Sequence, residues 1–176
     1  MNAAAAIRAG ELVLLPTDTV YGLCGPESKD AARRIAELKG RDAAQPIALL
    51  FADVDAAIAR APALARARGL LPGPFTIVVR AGAGTLGIRV PDFPTEAAAV
   101  VREVGAVLAT SANLHGGPDS RRLGDVPAEI RAACAAELDA GELPGVPSTV
   151  IDVTGPEPRI LREGAVPAVE ALARLR

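Results

Sequence analysis

The stretch Ala106-Val107-Leu108-Ala109-Thr110-Ser111-Ala112-Asn113 runs from an apolar strand into a compact polar turn. An earlier stretch, Pro16-Thr17-Asp18-Thr19-Val20-Tyr21-Gly22-Leu23, repeats this arrangement, because a buried strand again ends in a group of hydroxyls. Between them lies Lys39-Gly40-Arg41, in which two cations flank a glycine at the end of a predicted helix. Strand ends that bring hydroxyls and an amide toward clustered cations predict a site for an anionic, phosphate-bearing ligand.

The composition predicts one domain over residues 1–176. Half of the 176 residues are hydrophobic, which excludes a disordered chain, and two separate cores would be cramped at this length. Aromatic residues make up only 2% of the sequence, so Leu, Val, Ile and Ala must build the core. The net charge of -2 and the pI near 5.5 provide no overall basic field that would attract nucleic acid.

The cysteines and the N-terminus indicate a cytoplasmic protein. Cys24 and Cys134 form neither a CxxC pair nor a metal-ligand spacing, which fits a reducing compartment. The start of the chain lacks the charged and apolar regions of a signal peptide, and no apolar run approaches the length of a membrane span. With a single histidine, His115, no protein metal site is expected.

Apolar periodicity and local stop signals predict alternating strands and helices. Ser28 as N-cap and Gly40 as C-cap bound a helix over Lys29–Lys39. Since some successive strands lie too close together for a crossover helix, we expect an α/β fold with a twisted, mixed sheet flanked by helices. The predicted strands are 11–15, 46–51, 75–80, 87–90, 106–109, 149–153 and 159–161, and the other helices are 53–67 with a break at Pro62, 95–104, 127–136 and 167–175.

Two cations and two polar side chains are the first candidates for binding. Lys39 also stabilises the end of its helix, whereas Arg41 lies beyond the glycine, where that explanation is weaker. Ser111 and Asn113 would point to the same side of an extended segment, although an Asx or Ser/Thr turn explains them as well.

Further polar residues stand beside predicted strands. A turn explains Asp18 well but explains Thr19 and Tyr21 poorly, since β-branched and aromatic residues are unusual in turns. Arg89 in an apolar strand requires either a buried anion or an exposed strand face. Neither a Walker motif, nor GxGxxG after a strand, nor a nucleophile elbow is present.

Taken together, the motifs resemble those of the YrdC/TsaC family, the threonylcarbamoyl-AMP synthases. They occur in the family's order, cover nearly the whole chain and match the short, single-domain form. The matching stretches are PTDTVYGLCG at 16–25, LKGR at 38–41, LLPGPFTIVV at 70–79, LGIRVPDFP at 86–94, ATSANLHG at 109–116, STVIDVTG at 148–155 and ILREGAV at 160–166.

The resemblance implies a YrdC-like sheet with a large concave cavity, and a specific reaction. L-Threonine, bicarbonate and ATP, with Mg²⁺ carried by the ATP, would give threonylcarbamoyl-adenylate and pyrophosphate. A partner transferase complex would then modify adenosine in tRNA, and direct contact of this chain with tRNA is left open. The enzyme would be a cytoplasmic nucleotidyltransferase with no membrane partner.

The resemblance also assigns residues. The family's signature of catalytic residues falls on Lys39, Arg41, Ser111 and Asn113, all of which also bind the nucleotide together with Gln45, Thr76 and Arg162. The residues expected at the other substrate are Thr19, Tyr21, Arg89 and Ser148.

Three positions depart from the family pattern. Asp42 replaces a proline after the Lys-x-Arg signature, Leu50 stands where some members carry a histidine, and Leu71 replaces a tryptophan. These departures concern the affinity for ligands rather than the class of protein. The alternatives are an RNA-binding, YciO-like relative that lacks synthase activity and a carbamoyl-transfer module of hydrogenase maturation, which normally lies within a much longer chain.

Overall fold

The computed structural model of the protein describes residues 2–42 and 45–175. Within them, nine strands form one sheet in the order β7-β1-β2-β6-β3-β5-β4-β8-β9. Strands β1/β2, β2/β6, β3/β6, β4/β5 and β8/β9 pair antiparallel, and β1/β7, β3/β5 and β4/β8 pair parallel. The predicted mixed α/β sheet is therefore confirmed. The strands are β1 Leu12–Pro16, β2 Tyr21–Gly25, β3 Ala48–Leu50, β4 Phe75–Ala81, β5 Gly84–Arg89, β6 Val107–Ser111, β7 Cys134–Glu137, β8 Thr149–Asp152 and β9 Arg159–Arg162.

Helices cover parts of both faces of the sheet. They are α1 Ala3–Arg8, α2 Lys29–Lys39, α3 Val54–Arg60, α4 Thr95–Val104, α5 Ala128–Ala132 and α6 Ala168–Ala173, with 3-10 helices at Pro62–Leu70 and Leu123–Asp125. Helix α2 has the predicted bounds, because the Ser28 side chain accepts a hydrogen bond from Ala31 N and Gly40 adopts a left-handed φ of 62°. None of the helices in these described ranges is long and apolar enough to span a membrane.

The sequence prediction was wrong over part of 127–136. Only Ala128–Ala132 is α-helical, and Cys134–Glu137 forms β7 beside β1. Strand β2 and helix α1 were not predicted at all. Strand β2 contains Gly22 and Gly25, which have low strand propensity, yet a Cβ at Gly25 would lie 2.6 Å from Leu12 Cδ2. Because β2 packs closely against Leu12 on β1, position 25 requires glycine, and glycine lowers the strand propensity from which β2 would have been predicted.

The two faces of the sheet differ in how they are covered. One face packs Leu12, Leu14 and Leu23 beneath α2 and α5, and packs Phe75 and Ile77 beneath α3, α6 and the first 3-10 helix. On the opposite face, α1 and α4 cover only the part of the sheet near β1 and β6, as the apolar cluster there shows. The rest of that second face, over β3, β5, β4 and β8, remains uncovered by helix and forms the cavity described below.

Residues 138–148 connect β7 to β8 across the molecule. Gly145 N donates to Thr19 O at 2.8 Å, and three residues later the Ser148 hydroxyl lies 2.7 Å from Thr76 Oγ1 on β4. The connection therefore joins the β1–β2 turn to β4, across the uncovered part of the sheet.

Candidate functional site

The uncovered face contains a cavity of about 450 Å³. Small residues on the central strands form its floor: Gly22 on β2, Ala109 on β6, Ala48 on β3 and Gly87 on β5. The register places Ala48 opposite Ala109, and a Cβ at Gly87 would lie only 3.2 Å from Thr76 Cγ2. The hollow exists because these strands present little side-chain volume on this face.

Three arginines line the cavity: Arg41 after α2, Arg89 at the end of β5 and Arg162 at the end of β9. The Nε atoms of Arg41 and Arg89 are buried and have no hydrogen-bond partner in the described part of the chain. Among the described residues, the Arg41 side chain makes one long hydrogen bond, from Nη2 to the Gln45 carbonyl at 3.5 Å. Burial lowers the pKa of Arg41 and of Arg89, so both guanidinium groups gain from an anion placed beside them.

A buried ion pair fixes Arg89 against the β1–β2 turn. Arg89 Nη2 lies 2.9 Å from Asp18 Oδ1 and donates to Thr19 Oγ1 at 3.1 Å, and both charged side chains are only 11% exposed. Burial raises the pKa of Asp18, while the Arg89 guanidinium opposes that rise. The other carboxylate oxygen of Asp18 accepts from Asp92 N at 3.1 Å. Thr19 itself is buried, and its hydroxyl also lies 2.9 Å from Thr17 Oγ1, which belongs to a residue of the cavity lining.

Lys39 lies behind the cavity wall rather than in it. Its ammonium donates to Ser111 O at 2.6 Å, to Asn113 O at 2.6 Å and to Asn113 Oδ1 at 2.8 Å. These three bonds use all three N–H donors of the ammonium. Burial, followed by the charge of Arg41, lowers the pKa of Lys39 to about 8. Lys39 therefore shapes the segment that follows β6.

Asn113 completes this internal network. Its Oδ1 also accepts from Ser111 Oγ at 2.6 Å, and its Nδ2 donates to Gly117 O at 2.7 Å. Of the Ser-Ala-Asn segment, Ser111 lines the cavity and Asn113 does not. Strand β6 extends through Ser111, so the turn begins later than predicted. The structure thus brings the four predicted catalytic residues together but exposes only Arg41 and Ser111 to the cavity.

A second polar group lies across the cavity, on β4, on β9 and at the residue just before β8. The hydroxyls of Thr76 and Ser148 are 2.7 Å apart, and Arg162 Nη2 donates to Ser148 O at 2.8 Å. Gly164 makes this arrangement possible, because a Cβ there would lie 2.2 Å from Pro147 O. Thr76, Ser148 and Arg162 were all predicted from the sequence, and all three line the cavity.

Two predicted ligand contacts lie elsewhere. Tyr21 is fully buried on the opposite face of β2, and its hydroxyl contacts Asp139 Oδ1 at 2.9 Å and Gly141 O at 2.9 Å. Gln45 is exposed and is not part of the cavity lining. Tyr21 therefore anchors the 138–148 connection, and neither side chain reaches the cavity in this structure.

The sequence reasoning missed one charged residue of the cavity, Asp119. It lies in the loop after β6, and no motif singled it out. The cysteines, in contrast, take no part in the site. Both are free thiols, and burial raises the pKa of Cys24 and of Cys134 to about 12, so neither supplies a thiolate near neutral pH.

The sequence matches a known family over most of its length. A model of the Sua5/YciO/YrdC family, whose description reads "Telomere recombination", matches residues 5–164. A threonylcarbamoyl-AMP synthase of Bacillus subtilis is 35% identical over 94% of this chain and 53% of the relative. The chain therefore spans about half the length of that relative.

Solved structures share the fold. Pyrococcus abyssi Sua5, crystallised with L-threonine, matches with a TM-score of 0.84 and 33% identity over 98% of this chain and 56% of that protein. Escherichia coli YciO matches with a TM-score of 0.82 over 97% of this chain and 90% of its own, and at 24% identity this likeness concerns the fold alone. The mixed sheet, the ordered motifs and the matched residues together place the chain in the Sua5/YciO/YrdC family, to which it belongs.

Proposed function

We propose that this protein is a threonylcarbamoyl-AMP synthase, a nucleotidyltransferase that condenses L-threonine, bicarbonate and ATP into threonylcarbamoyl-adenylate and pyrophosphate. The name of the Bacillus subtilis relative and the L-threonine bound to Pyrococcus abyssi Sua5 support this activity. Family membership does not by itself select it, so the composition of the cavity in this chain provides the further support.

The observation that carries the proposal is the pair of buried guanidinium donors in the cavity wall. Arg41 Nε and Arg89 Nε lack a partner among the described residues. A buried donor left without a hydrogen bond costs about 1–3 kcal/mol, and an anionic oxygen that accepts the bond offsets this cost. Since the two donors come from separate elements, they favour a ligand set with anionic groups at two places, as a polyphosphate and an amino-acid carboxylate provide.

The chemistry requires two bond-forming steps. The neutral amine of L-threonine attacks the carbon of bicarbonate, and loss of water leaves a carbamate. A carbamate oxygen then attacks the α-phosphorus of ATP, and the bond from that phosphorus to the bridging oxygen breaks as pyrophosphate leaves. No covalent enzyme intermediate is needed, which agrees with the protonated state of both cysteine thiols. Positioning and charge neutralisation must therefore supply the rate enhancement.

Residues on the two sides of the cavity contribute to this positioning and charge neutralisation in different ways. Arg41 neutralises phosphate charge, and the Ser111 hydroxyl contacts the ligand beside it. Lys39 and Asn113 act indirectly, because their hydrogen bonds fix the backbone and hydroxyl of Ser111. On the other side, Arg89 binds the carboxylate of L-threonine next to Thr19. Thr76 on β4 and Arg162 on β9 contact the nucleotide, and Ser148, just before β8, contacts the L-threonine.

The product defines the partners that we propose. A mixed anhydride of a carbamate and AMP is an activated acyl donor, so a transferase complex that modifies adenosine in tRNA would consume it. ATP enters as its Mg²⁺ complex, and the reaction takes place in the cytoplasm.

The decisive experiment measures pyrophosphate release from ATP with the purified protein. We expect release only when L-threonine and bicarbonate are both present, because the attacking group is the carbamate made from the two. Release that continues at the same rate without L-threonine would reject the synthase activity. Release in neither case, together with binding of tRNA, would instead favour the YciO-like alternative, which the net charge of -2 already disfavours.

A further inference from the structure

Asp119 is a carboxylate in a cavity whose other charged lining residues, within the described part of the chain, are arginines. It shares the lining with Arg41, Arg89 and Arg162. Within residues 2–42 and 45–175, no hydrogen bond or ion pair joins Asp119 to another group. Asp18, the other carboxylate near the cavity, is in contrast paired with Arg89. The Asp119 carboxylate is therefore available to contact a ligand, as are the Nε donors of Arg41 and Arg89.

The neighbour of Asp119 fixes it at the Ser111 end of the cavity. Ser120 is buried, its hydroxyl donates to Ala112 O at 2.8 Å, and its carbonyl accepts from Tyr21 N at 3.0 Å. These bonds tie the loop to the residue that follows Ser111 and to the start of β2. The carboxylate also acts electrostatically on Lys39, whose ammonium is bonded to Ser111 O. Asp119 therefore lies on the side where Arg41 and Ser111 face the ligand.

A carboxylate at this place would repel bare phosphates, so a cation must separate the two. The ammonium of L-threonine is a poor choice, because a carboxylate that stabilises it would oppose the proton loss that makes the amine nucleophilic. Mg²⁺ is the better choice, since it is commonly held by one or two carboxylates together with substrate phosphates and several waters. Among the described residues, no three His, Cys, Asp or Glu side chains form a metal site of their own, so the ion must arrive with its nucleotide.

We infer that Asp119 is the residue that contacts the Mg²⁺ of bound Mg-ATP, either directly or through a water of its shell. The inference rests on the proposed use of ATP and adds a metal contact in the loop after β6. The same carboxylate makes the cavity select Mg-ATP over metal-free ATP, because it attracts the first through its metal and repels the second.

The test is a calorimetric comparison of ATP affinity with excess Mg²⁺ and with excess EDTA. Wild-type protein should bind Mg-ATP more tightly than metal-free ATP. In Asp119→Asn, we expect the ratio of the two dissociation constants to fall about tenfold or more, because Mg-ATP binds more weakly and metal-free ATP binds more tightly. Asp55→Asn is the matched control, since it removes the same charge from a side chain that is 77% exposed on α3.

Each remaining outcome overturns the inference in a different way. If Asp119→Asn changes both dissociation constants by the same factor, Asp119 acts only through its charge and does not contact Mg²⁺. If neither constant changes, Asp119 does not belong to the ATP site. If the asparagine variant does not fold, Asp119→Ser serves for the same comparison. Wild-type protein that binds neither form of ATP would reject the proposed function itself, and the inference with it.

Discussion

The group around Lys39 and Asn113 and the group around Arg41 and Arg89 both consist of cations near polar side chains, yet they differ in their hydrogen bonding. Lys39 uses every donor on Ser111 and Asn113, and all of these acceptors belong to the protein. Arg41 and Arg89 each keep a buried Nε without a partner in the described residues. A family signature treats Lys39 and Arg41 as one unit, but in the structure Lys39 is bonded within the protein while Arg41 lines the cavity, where we propose that it binds the ligand.

This difference separates two kinds of contribution to function. A satisfied buried network stabilises one local conformation, so its loss should appear in the stability of the free protein. An unsatisfied donor contributes only when a ligand arrives, so its loss should appear in affinity. Four substitutions test this separation.

Arg89 belongs to both groups, and its loss should have the largest effect. Arg89→Met leaves the Asp18 carboxylate buried without its partner, which should destabilise the protein by about 3–5 kcal/mol in urea unfolding. Arg159→Met is the control, because Arg159 also lies 2.9 Å from an aspartate, Asp152, but is 72% exposed. The control should cost no more than about 1 kcal/mol. Equal costs would mean that burial of the Arg89 pair has no energetic consequence.

Arg41→Ala should affect ligand binding alone. Removing a charge-assisted contact to phosphate should weaken ATP binding by about 1.5–3 kcal/mol, roughly 10- to 150-fold in dissociation constant. The unfolding free energy should stay within about 0.5 kcal/mol, since the hydrogen bond of the Arg41 side chain within the described part of the chain is a long one, 3.5 Å to Gln45 O. Arg102→Ala, on the exposed side of α4, removes the same charge and should leave both quantities unchanged. A large loss of stability in Arg41→Ala would place Arg41 with the structural group.

Lys39→Met should show the opposite pattern. The acceptors on Ser111 and Asn113 lose their donor, which should lower the unfolding free energy by about 1–3 kcal/mol without any ligand present. The matched variant is Lys29→Met, which removes the other lysine of the sequence from the exposed start of α2. If Lys39→Met lowers ATP affinity while its urea midpoint equals that of wild type, then Lys39 binds phosphate directly.

Gln45→Ala should have the smallest effect. The side chain is exposed outside the cavity lining, and only its backbone carbonyl accepts from Arg41. Calorimetric ATP affinity should therefore change by less than about 0.5 kcal/mol. A tenfold loss would restore the nucleotide contact that the family resemblance implies for this residue.

The sequence predicted those parts of the fold that depend on residues close together along the chain. Helix α2 has its predicted bounds because Ser28 and Gly40 supply caps within the helix itself. Strand β7 was missed because Cys134–Glu137 becomes extended only through pairing with β1, which lies more than a hundred residues earlier. Pairing of this kind leaves no mark in local periodicity.

The candidate site shows the same contrast between features set by nearby residues and features set by distant ones. Residue type singled out Arg41 and Ser111, the family motifs singled out Ser148 and Arg162, and all four line the cavity. The sequence did not reveal that Lys39 is enclosed by its own acceptors, nor that Ser120 places Asp119 in the cavity. Both facts depend on hydrogen bonds between segments that are distant along the chain.

The 138–148 connection joins the two sides of the cavity. Its bonds at Thr19 and Thr76 hold the β1–β2 turn, which carries Asp18, the partner of Arg89, to strand β4. We therefore expect the length of this connection, which carries few catalytic groups, to determine how long a ligand the cavity accepts. Two glycines inserted after Val146 should widen the cavity, so that ATP affinity falls in calorimetry while urea unfolding stays cooperative.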